Sequence, residues 1–230
     1  MISLKDNNSL IRKVGFLFML VILLQIPMFF INRIIDEREY SYRNMVREIG
    51  NEWGEKQTIA GAFLIIPYSD VKVEYDEYGK KIERNVVKDW ILLPDKLNVK
   101  VDLKDEVRKR GIYKTTVYSG DIILEGEFPK LRDVLPANLN PYNIGIGLGI
   151  TDTKSLMKVE EFKVEGKDIY LESGTGVTQH LLNTGISGTI SENILQKDKI
   201  KFSIKLSLRG NGGIEILPFG KENHFEISST

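Results

Sequence analysis

The longest hydrophobic run of the chain lies near its N-terminus. Residues Val14 to Ile31 read VGFLFMLVILLQIPMFFI, with no charged residue and one strongly polar residue, Gln25. An α-helix of this length, rising about 1.5 Å per residue, spans about 27 Å, close to the bilayer hydrocarbon core of about 30 Å. Pro27 removes one backbone hydrogen bond, which transmembrane helices tolerate. The pattern predicts a transmembrane anchor over residues 14–33.

Two other kinds of segment share a long hydrophobic run. A cleaved signal peptide has a shorter apolar region followed by small residues at the cleavage site. Here the run is followed by Asn32-Arg33-Ile34-Ile35-Asp36-Glu37, which contains no such site. A buried core helix has a polar face, and Val14–Ile31 has none. An uncleaved anchor therefore fits the sequence better than either alternative.

The orientation of the anchor depends on the charges beside it. Basic residues lie on both sides, before it at Lys5, Arg12 and Lys13, and after it at Arg33, Arg38, Arg43 and Arg47. This distribution is close to a tie under the positive-inside rule. A short leader before a long polar domain favours export of that domain. We expect residues 1–13 to be a cytoplasmic leader and the soluble part to be extracytoplasmic.

An amphipathic helix is predicted directly after the anchor, over residues 34–53 of a juxtamembrane segment 34–56. Glu39 and Arg43 are spaced for an i,i+4 ion pair, and Gly54 signals the helix end. One apolar stripe runs along it: Ile35, Tyr42, Val46, Ile49 and Trp53. The stripe either packs on the following domain or forms a dimeric stalk. Its short length favours packing.

From Thr58 onwards the hydrophobic period changes from helical to alternating, which is typical of strands. The clearest strand places Phe202, Ile204, Leu206 and Leu208 on one face. Val99, Val101 and Leu103 form another such face, and Ile122, Leu124 and Phe128 a third. Further strands are predicted at 62–67, 71–76, 86–93, 112–118, 143–150, 159–164, 168–172, 214–217 and 224–228.

Many short strands separated by turn signals, such as Glu77-Tyr78-Gly79-Lys80, are typical of an antiparallel sandwich or barrel-like architecture. We therefore expect a mainly β fold, in which the transmembrane helix and a juxtamembrane helix precede an extracytoplasmic β-rich domain over residues 57–230. Residues 129–141 contain Pro129, Pro136 and Pro141. A boundary there would divide the soluble part into 58–128 and 142–230, and a single continuous domain is the alternative.

Composition excludes several classes of chemistry. Lys+Arg and Asp+Glu both number 32 in 230 residues, so the net charge is zero and no basic tract indicates nucleic-acid binding. The absence of cysteine excludes disulfides, thiol catalysis and cysteine metal sites. With His180 and His224 as the only histidines, a multi-histidine metal centre is excluded as well.

Two glycine-rich segments resemble phosphate-binding loops only superficially. Gly145-Ile146-Gly147-Leu148-Gly149 lacks the spacing and the following helix of a dinucleotide fingerprint. We interpret these glycines as room for packed neighbours on one strand face. Gly174-Thr175-Gly176 has neither a nearby lysine nor a helix N-terminus, and a tight turn accounts for it.

The titratable residues give no recognisable catalytic set. Glu160-Glu161 and Asp105-Glu106 are adjacent pairs, and adjacent strand residues point to opposite faces, so neither pair converges on a substrate. His180, with Glu165 or Glu172 close by, is the one candidate for a ligand or catalytic role. We predict no catalytic, cofactor-binding or metal-binding residues, and no cofactor.

Several segments, in this order, resemble the CreD inner-membrane proteins, described as cell envelope integrity proteins. Ile34-Ile35-Asp36-Glu37-Arg38 resembles the family's I-x-E-R segment after its apolar helix. The stretch from Trp53-Gly54 through Gln57 to Pro67-Tyr68 is similar to W-G-x-x-Q-x-x-x-G-P-x-L-x-x-P-Y, with Ala62 in place of the first proline. Weaker matches follow at Arg110-Gly111-Ile112-Tyr113, Thr151-Asp152, Glu172-Ser173-Gly174-Thr175-Gly176 and Leu217-Pro218-Phe219-Gly220-Lys221.

The resemblance implies a non-enzymatic protein of envelope integrity or stress response in the cytoplasmic (inner) membrane, with no catalytic residues to carry over. Members of the family are about twice this length and continue into C-terminal transmembrane helices, so the resemblance implies a truncated chain, the N-terminal half only. The expected partners are the lipid bilayer, other envelope membrane proteins and the missing C-terminal helical part.

Three hypotheses follow for the β domain. It senses or binds an envelope component, or it is an envelope hydrolase with a pocket near His180 and at least two converging carboxylates. As a third possibility, it is an assembly subunit, which requires an exposed apolar patch or a free sheet edge.

Overall fold

The computed structural model describes residues 7–75, 77–135, 143–177, 184–190 and 194–230. One helix, α1 (Asn7–Trp53), contains the predicted anchor and the predicted juxtamembrane helix without interruption, and Pro27 lies inside it. Within α1, Glu39 and Arg43 form the predicted ion pair. Contact density divides the chain into two compact units, Met1–Glu48 and Ile49–Thr230. The boundaries at residues 13, 33 and 56 stay predictions.

Twelve strands and three short helical segments follow α1 in the described residues. The strands are β1 (Gln57–Tyr75), β2 (Lys81–Leu92), β3 (Lys96–Arg110), β4 (Tyr113–Pro129), β5 (Gly145–Ile150), β6 (Leu156–Val164), β7 (Lys167–Asp168), β8 (Glu172–Ser173), β9 (Gly185–Thr189), β10 (Lys199–Asn211), β11 (Ile214–Ile216) and β12 (Glu222–Ser229). The helical segments are α2 (Leu131–Val134) and two 3₁₀ turns, Thr153–Ser155 and Ile194–Gln196. The predicted fold class, mainly β after an apolar N-terminal helix, is confirmed.

The strands form two six-stranded sheets. The first has the order β11-β1-β5-β9-β8, with β2 added beside β1. The second has the order β12-β3-β4-β10-β6-β7. Most neighbours are antiparallel, as predicted, but β11 pairs with β1 and β12 pairs with β3 in parallel. The sheets are therefore mixed.

One buried core lies between the sheets. It draws fully buried side chains from the first sheet, such as Leu64 and Leu148, and from the second, such as Val101 and Ile204. Both sheets contain strands from before and after the segment 129–141. The part of that segment after residue 135 lies outside the described residues.

Alternation identifies the strands that are covered on one face only. In β10 the side chains of Phe202, Ile204, Leu206 and Leu208 are buried, as predicted, and the residues between them are more exposed. The first half of β1 is different, because Phe63 and Ile65 on its outer face are buried as well as Leu64 and Ile66 on its inner face. A strand covered on both faces is hydrophobic without alternation.

Some of the predicted strand boundaries are wrong. The predicted strands 62–67 and 71–76 are parts of one strand, β1, and 112–118 continues into β4. The predicted strand 168–172 does not exist, because β7 at its start belongs to the second sheet and β8 at its end to the first. Strand β9, Gly-Ile-Ser-Gly-Thr, was not predicted because its small and polar residues lack the usual strand composition.

Candidate functional site

A two-stranded ribbon extends from the first sheet. β1 pairs with β5 only as far as Ile65, whereas its pairing with β2 continues to Tyr75 opposite Lys81. Beyond Ile65, β2 is the only partner of β1 within the described residues. We call residues 67–75 and 81–89 the arm. Its two strands are joined by the predicted turn around Tyr78 and Gly79.

One face of the arm carries exposed apolar side chains, together with Asn85 and, near the turn, the Lys81–Glu83 ion pair. Because side chains alternate along a strand and directly opposite residues share a face, Val71, Val73 and Val87 lie together with Tyr75 on one side. These valines are 52%, 42% and 55% exposed. The same face is buried further along β1, at Phe63 and Ile65. The apolar face of the first sheet thus continues into solvent along the arm.

The opposite face of the arm carries charges that pair with each other. Lys88 donates to Asp70 at 2.5 Å, and Glu74 lies 2.8 Å from Lys72 and 3.9 Å from Arg84. The hydrogen bond from Lys88 lowers the pKa of Asp70, and the bond from Lys72 lowers that of Glu74. Both carboxylates are therefore ionised and engaged at neutral pH. The exposed valines Val71, Val73 and Val87 lie on the other face, which we call the valine face.

Backbone groups are exposed along the arm as well. In the described residues β2 pairs with β1 and with no other strand, and the second half of β1 pairs with β2 alone. Unpaired N–H and C=O groups at a sheet edge are a template on which a strand from another polypeptide can add. The arm therefore combines two features used in protein–protein recognition, a free edge and an apolar face.

A shallow groove of about 430 Å³ lies on the outer face of the second sheet. The charged residues that line it are Lys96, Glu125, Glu127, Glu161, Lys163 and Lys201. Glu127 lies 2.6 Å from Lys199 and 3.9 Å from Lys96, and Glu161 lies within 3.6 Å of Lys163 and Lys205. This surface is a ladder of neighbouring ion pairs.

The pKa shifts in this groove favour ionised carboxylates. The hydrogen bond from Lys199 lowers the pKa of Glu127, and a hydrogen bond from Ser203 lowers that of Glu161. A general acid at neutral pH needs a raised carboxyl pKa instead. The lowered pKa values of Glu127 and Glu161 are therefore typical of ion-paired surface carboxylates.

The structure confirms the interpretation of the two glycine-rich segments. A Cβ on Gly147 would lie 2.6 Å from the carbonyl oxygen of Thr175 and 2.7 Å from the ring of Phe63, so the glycine makes room for both. Gly174 and Gly176 have φ of +95° and +76°, as expected of a turn. Thr175 between them is buried.

The carboxylate pairs are separated, as predicted. Glu160 accepts from Lys158 at 3.1 Å, while Glu161 pairs with Lys163 and Lys205. Asp105 accepts from the hydroxyl of Ser229, and Glu106 accepts from Arg108. Each member of a pair therefore has its own partner.

Of the residues considered around a histidine site, Glu165 has a structural role and Glu172 is exposed. The Glu165 carboxylate accepts from the backbone N–H of Lys201 at 2.7 Å and lies 3.0 Å from the Lys197 ammonium. His180 lies outside the described residues. Among the described residues, no group of three His, Asp or Glu side chains is placed to hold a metal ion. The prediction of no catalytic, cofactor or metal residues stays a prediction.

The arm was not singled out from the sequence. Val71, Val73 and Tyr75 alternate with Lys72 and Glu74, which is the pattern of a strand buried on one face. The structure leaves these apolar side chains exposed, and the alternation alone does not distinguish the two cases. A weak signal was present in the turn at Glu77–Lys80, which predicts that β1 and β2 form a hairpin.

Together, these features define a membrane-anchored protein with a β-rich domain. Within the described residues, the helix from Ile11 to Trp53 is the one that is long and apolar enough to cross a bilayer. The family model "Inner membrane protein CreD" matches residues 9–230. The chain therefore belongs to the CreD family and is an inner membrane protein, as the motifs from Trp53 to Lys221 implied.

One curated relative illustrates the extent of this similarity. Inner membrane protein CreD of Escherichia coli (strain K12) is 29% identical over 229 residues. The match covers 97% of this chain and 49% of the relative, so the chain spans about half the length of that protein. No solved structure matches the chain.

Proposed function

We propose that this chain is a non-enzymatic, membrane-anchored binding protein of the cell envelope, whose β domain lies outside the cytoplasmic membrane and contacts a partner protein through the arm. The observation that carries the proposal is the exposed valine face of the arm, Val71, Val73 and Val87, beside unpaired strand edges. The candidate partners are other envelope membrane proteins and the C-terminal helical part that the family resemblance implies.

The distribution of charge supports a protein partner that approaches the valine face. On the other face, Asp70 and Lys88 satisfy each other, so a partner there would have to displace existing ion pairs. On the valine face, an apolar surface of the partner removes Val71, Val73 and Val87 from water. The Lys81–Glu83 ion pair of this face lies at its turn end, so a partner that covers Val71 and Val87 does not need to displace it. A strand added at the edge of β2 would also satisfy its backbone groups.

Site-specific photo-cross-linking in native membranes tests this proposal. A benzophenone side chain at Val73 reports contacts of the apolar face, and one at Lys72, the adjacent residue on the opposite face, is the matched control. We expect a cross-linked envelope protein, identified by mass spectrometry, from position 73 and not from position 72. Val87→Lys, which places a charge on the same face, should abolish the product.

Two outcomes contradict the proposal. If positions 72 and 73 give the same products, contact is not specific to the apolar face. If position 73 gives no product under conditions in which the anchor is inserted, the arm has no protein partner. Circular dichroism of Val87→Lys separates lost binding from lost folding, and we expect an unchanged spectrum because Val87 is exposed.

The alternative function is an envelope hydrolase with a pocket near His180. This function needs at least two carboxylates that converge on the histidine with perturbed pKa values. The carboxylate of Glu165 accepts a backbone hydrogen bond and forms an ion pair instead. No observation on the described residues favours this alternative over the binding function.

A further inference from the structure

A second hairpin, formed by β3 and β4, has a basic end. Its turn is Gly111-Ile112, where Gly111 adopts φ of +60°. Ile112 is 74% exposed at the turn. Lys109 and Lys114 are directly opposite each other, one residue pair away from the turn, which Arg110 and Tyr113 flank. We call Lys109, Ile112 and Lys114 the basic tip.

The lysine pair is unusual because like charges directly opposite each other destabilise a sheet. Neither Lys109 nor Lys114 has an ion-pair partner among the described residues. The chain has equal numbers of acidic and basic residues, so a shortage of carboxylates does not explain why these two lysines have no such partner. Elsewhere in the β domain most lysines do pair, as Lys81 does with Glu83 at the end of the arm.

We propose that the basic tip binds the surface of a bilayer that contains anionic phospholipid. Two lysines side by side concentrate positive charge that is complementary to lipid phosphates. The exposed Ile112 between them enters the headgroup region, where an apolar side chain is favoured. Lysine is a compact point charge that needs no fixed geometry of the anion, which suits a fluid lipid surface.

This proposal concerns a surface other than the arm. It follows from the charge and exposure of the β3–β4 turn, whereas the proposed protein contact follows from the valine face of β1 and β2. The two can therefore fail separately. The family places the chain in the inner membrane, so a lipid surface is present where the protein resides.

The chain contains no cysteine, so a single introduced cysteine gives a specific label site. We would label Ile112→Cys with an environment-sensitive fluorophore and reconstitute the full chain into nanodiscs of phosphatidylcholine, with or without phosphatidylglycerol. Tyr78→Cys, at the turn of the arm, is the matched control because it is also a highly exposed hairpin turn. Labels at both positions report on the same protein in the same discs.

At position 112 we expect a blue shift and an intensity increase of about twofold or more in discs with phosphatidylglycerol, weakened by high salt. Position 78 should show no such dependence on lipid charge. Lys109→Gln with Lys114→Gln should remove at least about half of the change at position 112. Thermal unfolding checks that this double variant is folded.

Three results would overturn the proposal. The first is the same fluorescence at position 112 in both types of disc. The second is a change that survives the double lysine substitution in a folded protein. The third is a change reproduced in phosphatidylcholine discs by soluble glycerol phosphate, which would indicate a free-anion site in place of a lipid surface.

Discussion

The guanidinium of Arg108 lies over the indole of Trp53, with 4.5 Å between the guanidinium carbon and the ring centroid. Arg209 approaches the same ring at 5.6 Å. Trp53 is the last residue of α1, and Gly54 after it has φ of +98°. Gln57 is fully buried, and its side chain bonds the backbone at Glu55 and Asp152. The Trp-Gly-x-x-Gln motif therefore forms the packed start of the β domain.

A double-mutant cycle measures the Arg108–Trp53 contact. We expect a coupling free energy of about 0.5–1 kcal/mol between Arg108→Gln and Trp53→Leu, the range for an exposed cation–π pair. Chemical unfolding of the full chain in detergent provides the four free energies. Arg84→Gln, an exposed arginine of the arm, should show no coupling to Trp53→Leu, and additive effects for Arg108 would contradict the contact.

The glycines of β5 should differ in their tolerance of alanine. Gly147→Ala places a methyl group 2.6 Å from the Thr175 carbonyl oxygen, and we expect a loss of about 1–3 kcal/mol of unfolding free energy. In Gly145→Ala the nearest atom is 3.3 Å away, so we expect a loss below about 1 kcal/mol. Thermal unfolding of the two variants checks the order, and equal losses would contradict the packing explanation.

The sequence was most informative where one physical effect dominates. A helix in the bilayer core needs an uninterrupted apolar run, and Val14–Ile31 is such a run. A strand buried on one face needs alternating apolar residues, as Phe202, Ile204 and Leu206 of β10 are. Glycines with crowded neighbours, such as Gly147, could be interpreted as packing positions because no phosphate-binding spacing surrounds them.

The sheet order was not predictable from these patterns. Parallel pairing of β12 with β3 joins residues more than a hundred positions apart, and local periodicity carries no information on such partners. The exposure of Val71 and Val73 could not be predicted either, because their sequence alternation is the same as that of buried strand residues. The arm and the Lys109–Lys114 pair are defined by strand register, which local sequence patterns do not specify.

The Glu165 carboxylate should make stability dependent on pH. Burial acts to raise its pKa, but bonds from the Lys201 N–H and the Lys197 ammonium outweigh it, so the folded-state pKa lies below the ordinary 4.5. Its contribution is then complete above pH 4.5 and is lost as pH falls through the folded-state pKa. Glu165→Gln should cost about 1 kcal/mol at neutral pH and progressively less in acid.

Unfolding free energies at neutral and acid pH measure this effect. Glu160→Gln is the matched control on the preceding strand, because its pair with Lys158 is exposed, and we expect a change below about 0.5 kcal/mol at neutral pH. A pH-independent loss for Glu165→Gln would show that the carboxylate charge is not the cause.

Charge reversal at the basic tip should stabilise the fold. Lys109→Glu or Lys114→Glu converts a like-charge cross-strand pair into an opposite-charge pair, and we expect a gain of about 0.2–1 kcal/mol for either. The double reversal restores repulsion and should lose that gain. Thermal unfolding of the three variants tests this cycle, and a stable double variant would indicate that the two side chains do not interact.

The proposed topology can be tested with single cysteines on the two sides of the anchor. Tyr78→Cys lies at an exposed turn of the β domain, and Ser9→Cys lies in the predicted cytoplasmic leader. A membrane-impermeant maleimide, added to cells with a permeabilised outer membrane, should label position 78 and leave position 9 unlabelled until the cells are lysed. The cysteine-free parent chain is the background control. Labelling of position 9 alone would reverse the orientation, because a single crossing places the leader and the β domain on opposite sides.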